Sequence, residues 1–271
     1  PKNISFQPFK NIKWLDSKIF KIIQDFNFNP IPSNINIRGD LNRMFNKTQY
    51  RNSDLKTDGV DPIYEKYFSF NKSYGIRWNI FNSMNIDFSV INNSVVDEPE
   101  GELDTNEKLD SMFYNLKRLG RTKNFNQNIK INYKLPINKL PLLDWVSSNA
   151  KYSSRYIWSA GSYQQSDTLG NIAENGREYS LSTKLDISKL YDKIPILKNY
   201  NKKYQEKDSI NSIFQSRIFD GIMKLIMSVK SINLNYNVNE RTGLAGIIDS
   251  PGIFGLNSFS KSPGWNFIFG S

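Results

Sequence analysis

Histidine and cysteine are both absent from this sequence, which removes two of the most versatile reactive side chains at once. Imidazole acid–base catalysis, thiolate nucleophiles, disulfides and zinc held by Cys or His lie outside its repertoire. The carboxylates remain, and they crowd once, at Asp97, Glu98, Glu100, Glu102 and Asp104. Several oxygen ligands in so short a stretch would suit a hard cation such as Ca2+. The spacing lacks the central glycine and closing glutamate of an EF-hand loop, so the stretch reads better as a solvated loop. No other carboxylates pair in a pattern that suggests acid–base work. No enzyme and no cofactor is expected.

What these residues can do in quantity is partition between oil and water. The cleanest case runs from Asn124 to Leu135, where Phe125, Gln127, Ile129, Ile131, Tyr133 and Leu135 alternate with Asn124, Asn126, Asn128, Lys130, Asn132 and Lys134. In a strand, period two sends the two sets to opposite faces. The polar row Asn126, Asn128, Lys130, Asn132 and Lys134, joined by Ser180, Ser182 and Lys184 of a second run, is predicted to face an aqueous lumen. The alternative is the solvent face of an ordinary antiparallel sheet. Phe68, Tyr74, Trp78, Phe125, Ile129, Ile131, Tyr133, Tyr156 and Trp158 are predicted to face lipid or to form an interfacial girdle, because amphipathic rings favour headgroup depth. The alternative for them is core packing in a soluble fold.

The elements that must position these rows recur along the chain. Phe68, Phe70, Tyr74, Ile76, Trp78 and Ile80 share a face interrupted by Lys72, and Met84, Ile86, Phe88 and Val90 share another. Val146, Ala150, Tyr152, Tyr156 and Trp158 form a weaker row, and Tyr179, Leu181, Leu185 and Ile187 oppose Ser180, Ser182, Lys184 and Asp186. Ile35, Ile37 and Leu41 suggest an early strand, and Ile232, Leu234 and Tyr236 a late one. That makes about seven strands, several of them long enough to cross a bilayer at a tilt.

The connections sort by length. Phe81-Asn82-Ser83 is a tight turn and Pro136 to Asp144 a short link, whereas 46–64, 92–123, 160–177 and 239–271 read as long polar loops. Short turns on one rim and long loops on the other are the habit of outer-membrane barrels. Helices are expected near 14–26, where Ser17 could cap Ile19, Ile22, Ile23 and Phe26. A second is expected within 193–227, where Asp208 could cap Ile210, Ile213, Phe214, Ile222, Leu225 and Ile226. No run of about eighteen apolar residues encodes a membrane helix. A mean hydropathy of -0.54 fits strands whose two faces average out. The net charge of +10 comes from scattered lysines, which argues against nucleic-acid binding. Asn makes up about one residue in eight, well above ordinary usage. The start at Pro1 and the end after an aromatic run are read as cuts, so a piece of a longer chain is expected.

Specific strings then resemble the SprA (also called Sov) family. Asp25-Phe26-Asn27-Phe28-Asn29-Pro30-Ile31-Pro32 with Ile35 to Asn46 is similar to the family's periplasmic approach and following strand. Leu119-Gly120-Arg121-Thr122 and the stretch Leu135-Pro136-Ile137-Asn138-Lys139-Leu140-Pro141-Leu142-Leu143-Asp144-Trp145 flank a strand as they do there. Thr168-Leu169-Gly170-Asn171, Met227 to Ile232 with Tyr236, and Pro263-Gly264-Trp265 with Phe269-Gly270 continue the likeness in family order. The 241–246 loop departs from it by lacking a Leu-Pro-Gly.

The resemblance implies an all-β fold: an antiparallel transmembrane β-barrel segment, about seven strands of a very large barrel of roughly 36, with short periplasmic helices. It implies a place in the protein-conducting outer-membrane translocon of type IX secretion, exporting folded proteins and supporting gliding motility. The implied partners are secreted cargo with C-terminal signal domains, a companion outer-membrane barrel, a periplasmic plug protein and membrane lipid, with no nucleic acid. The implied location is the outer membrane of a Gram-negative bacterium. Two other readings stay open on the strand pattern alone. One is a different outer-membrane barrel, such as a porin or nutrient receptor; the other is a β-rich binding module without membrane contact.

Overall fold

The computed structural model describes residues 5–12, 20–50, 61–161, 170–195, 197–198, 221–222 and 225–270. Seven strands form one antiparallel sheet in the order of the chain, β1 to β7. They are β1 (Asn34–Thr48), β2 (Ile63–Phe81), β3 (Met84–Val95), β4 (Arg121–Leu135), β5 (Val146–Ser159), β6 (Asn171–Asp186) and β7 (Ser231–Ile247). Each falls on one of the alternating runs. The shortest has 12 residues and the longest 19, two to three times the length usual in soluble sheets. Each strand pairs with the next in sequence, so every connection is a hairpin of some length.

The strand ends joined by 49–62, 96–120 and 160–170 lie at one rim, called upper here. The two-residue turn Asn82–Ser83 and the 136–145 link with its 3-10 turn Pro136–Lys139 lie at the lower rim, as do the ends of β6 and β7 that 187–230 joins. The strand ends joined by 187–230 thus lie on the rim of the short turns, the side on which the helical insertion within 193–227 is expected.

Strand bounds differ from expectation mainly at the upper rim. The predicted loop 92–123 gives residues to β3 and β4 and folds in its middle into a helix, α2 (Asn106–Lys117), capped by Thr105, whose side chain accepts from the Lys108 N–H. Residues 171–176, expected in a loop, belong to β6, and 239–247 belong to β7. The remainder of 239–271 is no open loop either, as shown below.

Of the expected early helix, the described residues show one turn, α1 (Lys21–Gln24), while Ser17 and Ile19 lie outside them. Asp208, Ile210, Ile213 and Phe214 of the later one also lie outside them, and 221–222 and 225–227 are helical. Among the described residues there are also the short helices α3 (Ile187–Tyr191), capped by the Asp186 side chain, and α4 (Trp265–Ile268), and 195 and 197–198 are helical too.

Candidate functional site

Register decides which residues share a face. Phe125 pairs with Trp158 and Asn92, Gln127 with Tyr156 and Val90, Ile131 with Tyr152 and Ile86, and Trp78 with Ile86. Carried across all seven strands, this brings every predicted lipid-facing residue, from Phe68 to Trp158, onto one side of the sheet. Asn126, Asn128, Lys130, Asn132 and Lys134 stand on the other side, and Ser180, Ser182 and Lys184 join them through the β5–β6 register. The two sets are thus assembled as two continuous faces, one apolar and one polar.

The upper part of the apolar face is covered by the chain itself. After β7, residues 249–270 fold back beneath the sheet as a strap, and Phe267 and Ile268 of α4 pack with Val90, Phe125, Tyr156, Trp158 and Ala173. Polar side chains on the apolar face hold this strap by its backbone. Ser154 Oγ donates to the Ile268 carbonyl at 2.8 Å, Asn175 Nδ2 to that of Phe267 at 2.7 Å, and Trp158 Nε1 to that of Asp249 at 3.0 Å. The Tyr74 and Tyr152 hydroxyls donate to the carbonyls of Ile253 and Phe269. Two glycines let the strap approach so closely. A Cβ on Gly255 would stand 3.1 Å from the Tyr156 ring, and one on Gly270 would stand 2.6 Å from Arg177 Cβ; both residues have positive φ.

Next to the strap, α2 lays Met112 over Phe68, with Leu109 and Leu116 packed around them. Phe125, Tyr156 and Trp158 are 0, 1 and 2% exposed, and Phe68 is buried as well. These four residues, predicted to face lipid, are instead covered by the strap and by α2. The reason is long-range: the covering residues lie far away in sequence, where no local pattern announces them.

Below that cover the apolar face is open. Ile37 is 82% and Tyr236 66% exposed, and Ile35, Tyr179, Leu181, Ile232 and Leu234 are exposed too. Tyr74, Trp78, Ile131 and Tyr133 are half-buried, while Ile129 is buried by its neighbours. At the lower rim Trp78 Nε1 donates to the Asn29 carbonyl at 2.7 Å, and the rings of Phe26 and Phe81 lie 5.5 Å apart.

Toward the upper end of this face each strand carries one polar residue, Arg43, Lys72, Asn92, Gln127, Ser154, Arg177 and Glu240; the strap reaches below their line, to Tyr74, Phe88, Val90 and Tyr152, and lower down Ser148 and Thr183 share a hydrogen bond of 2.8 Å. These seven do not lie in one hydrogen-bonded row. Moving from β1 to β7 the line drops two rows between Arg43 and Lys72, one between Asn92 and Gln127, and one between Gln127 and Ser154. It stays level at the other three steps. With two residues per row, that is about 26 Å of descent across about 29 Å of sheet, a slope of about 42° to the hydrogen-bond direction. The distance from this line to the lower rim is nonetheless constant. Counted from the lower strand end through the polar residue, it is nine or ten residues in every strand, although whole strands range from 12 to 19.

The crowded acids of 97–104 are drawn apart by separate cations. Asp97 takes a paired contact from Arg121, at 2.9 and 3.0 Å; Glu98, with a side chain only 4% exposed, takes another from Arg43, at 2.5 and 3.1 Å. Glu102 meets Lys47, and Asp104 lies 2.8 Å from Lys108. The Arg121 guanidinium holds the Asp97 carboxyl below its ordinary range, and Lys108 does the same for Asp104. Among the described residues no group of three or more acids converges as a metal site would require. Among them, too, no helix is long and apolar enough to cross a membrane.

Sequence reasoning missed the boundary residues and the strap contacts. The signal was present as polar interruptions in the apolar rows, at Lys72, Gln127 and Ser154. Neither a protein-family model nor a curated protein matches this chain.

Proposed function

We propose that this sheet is part of the wall of a transmembrane β-barrel in the outer membrane of a Gram-negative bacterium. The observation that carries the reading is the slanted polar line at constant distance from the lower rim. A bilayer boundary is flat, so strands tilted by about 42° must cross it at a register that shifts strand by strand, and barrel strands tilt by about 35–45°. The nine or ten residues beneath the line in each strand equal one tilted crossing, for which about 9–11 are needed. A sheet packed in a soluble sandwich has no reason to keep that interval constant. The aqueous side then carries the Asn, Ser and Lys rows, and the lower rim is periplasmic. Both edges, β1 and β7, are long and leave backbone groups open to pairing with further strands of the wall.

Within that class, the strings around Pro30, Pro136 and Trp265 favour the SprA/Sov family and hence the protein-conducting translocon of type IX secretion. In that role the polar face borders the path of folded cargo bearing C-terminal signal domains. The companion barrel and periplasmic plug would be its neighbours, and gliding motility would depend on it. Asn and Ser keep water at the wall while binding passing protein weakly. Deleting the full-length protein and comparing secreted proteins tests this. Loss of many unrelated secreted proteins supports the translocon. Intact secretion with impaired solute uptake points to a porin or nutrient receptor and rejects it.

A further inference from the structure

The lysines scattered along the sequence are not scattered on the sheet. On the polar face, Arg155 pairs across with Asn128, Ser153 with Lys130, Lys151 with Asn132 and Asn149 with Lys134. Arg155, Lys130, Lys151 and Lys134 therefore zigzag between β4 and β5, each on the diagonal from the next, about 7–8 Å away. Lys184 stands further toward the lower rim on β6, opposite Ser147. All five side chains are exposed.

The surroundings do not neutralise them. β4 and β5 place no carboxylate on this face. The flanking acids are Asp87, opposite Lys130 and already 2.6 Å from Arg77; Glu178, opposite Ser153; Glu174, opposite Ile157 and diagonal to Arg155; and, beside Lys184, Asp186, which lies 3.5 Å from Lys189. Among the described residues none of the five cations forms an ion pair. Like charges on neighbouring diagonals cost stability, and the rest of the β4 and β5 polar rows, mostly Asn and Ser, does not need them for solubility. Around Lys134 and Lys184 the surface dips into a shallow depression of about 380 Å³ lined also by Asn149, Ser182, Asn233 and Asn235.

We infer that this zigzag is a binding track for an extended, acidic polypeptide segment. Successive cations advance two residues along the strands, about 6.7 Å, which is the same-face repeat of an extended chain. A segment with Asp or Glu at alternate positions therefore meets one cation per carboxylate. A nucleic-acid strand fits less well, because the crossing part of this face offers no aromatic ring for bases to stack on. The inference names the substrate chemistry of the proposed conduit and rests on that reading for its biological setting, but the binding itself does not depend on it.

The test uses the detergent-solubilised full-length protein and labelled peptides, (Glu-Ser)6 against (Gln-Ser)6, with single-stranded oligo-dT as a third probe, read by fluorescence anisotropy. The acidic peptide is expected to bind at least about tenfold tighter than the neutral one at low salt, the lower end of electrostatic focusing by a charged cleft. That preference disappears in the Lys130→Gln, Lys134→Gln, Lys151→Gln, Arg155→Gln variant and persists when the three lysines are changed to Arg. Equal binding of both peptides, a preference that survives the Gln variant, or tighter binding of oligo-dT each overturns the inference. Failure of the barrel reading shows separately, as a lack of quenching of Trp78 by brominated lipid in the reconstituted protein.

Discussion

Replacing Ile131 by Arg tests the assignment of faces at the point where it costs most. Ile131 stands four residues below Gln127 and four above Leu135, at the middle of the β4 crossing. It projects from the open apolar face, level with Ile86 and Tyr152. An arginine on the lipid side at the bilayer midplane costs about 2–4 kcal/mol, falling to about 0–1 near the interface. Its neighbour Asn132 projects to the polar face, where its Nδ2 donates to Asn85 at 2.9 Å. Asn132→Arg loses that one contact and gains hydration, for a net cost of about 1 kcal/mol or less. The expected difference between two adjacent substitutions is thus about 1–4 kcal/mol, a factor of roughly 5 to 900 in the folding equilibrium. Denaturant titration of the full-length protein in lipid vesicles, read by tryptophan emission, measures it. Equal costs for the pair would refute the division into lipid and water faces. A larger cost for Asn132→Arg would reverse it.

Other outcomes follow from the covering elements and the ion pairs. Ser154→Val removes a buried hydrogen bond to the strap and leaves the Ile268 carbonyl unpaired, costing about 1–3 kcal/mol; limited proteolysis within 249–270 should speed up, and unchanged cleavage would show that the bond does not hold the strap. Gly255→Val adds atoms where a Cβ already stands 3.1 Å from Tyr156 and Ile268, at positive φ. The strap should be displaced at a cost of about 1–3 kcal/mol, with faster amide exchange at Phe267 and Ile268 as the readout. Arg43→Met strips the buried Glu98 carboxylate of its paired partner but leaves Lys66 at 3.9 Å. With Arg43 itself 39% exposed, the loss is about 1–2 kcal/mol rather than the larger cost of a fully buried pair, and a urea midpoint measures it. Asp97 has its folded-state pKa depressed by Arg121, so its contribution is present above the ordinary carboxylate range and is lost as pH falls through the depressed value. Exchange of α2 amides should accelerate over that acidic window, and Asp97→Asn should remove the pH dependence.

The strands were legible because their crossing parts largely follow one rule, apolar against polar at period two, with Ser148 and Thr183 on the apolar face and Ile91 on the polar face as exceptions. The rule lapses above the boundary, and so did the reading. In β6 the residues Ala173 and Asn175 lie beneath the strap while Ile172 stands on the polar face, so 171–176 shows no clean alternation and resembles a loop. In β7, Glu240 and Thr242 stand on the otherwise apolar face and hide the strand in the same way. Aromatic residues at 125, 156 and 158 announce burial without saying by what. Bilayer and strap both suit them, and only a contact with residues about a hundred positions away decides. The basic track was invisible for a related reason: Lys130, Lys134, Lys151 and Arg155 become neighbours only once the β4–β5 register is known.

Depth measured by spin labels at the seven boundary positions tests the central claim most directly. Single cysteines are introduced at 43, 72, 92, 127, 154, 177 and 240, with none native within the 271 residues to compete and any elsewhere in the full-length protein replaced by Ser. The ratio of oxygen to aqueous-quencher accessibility in vesicles reports depth. A tilted wall predicts the same interfacial depth at all seven sites, despite the eight-residue drift in register between the first and the last. Depths that instead follow the hydrogen-bonded rows, separating positions 43 and 240 by about 26 Å, or full hydration throughout, would contradict it.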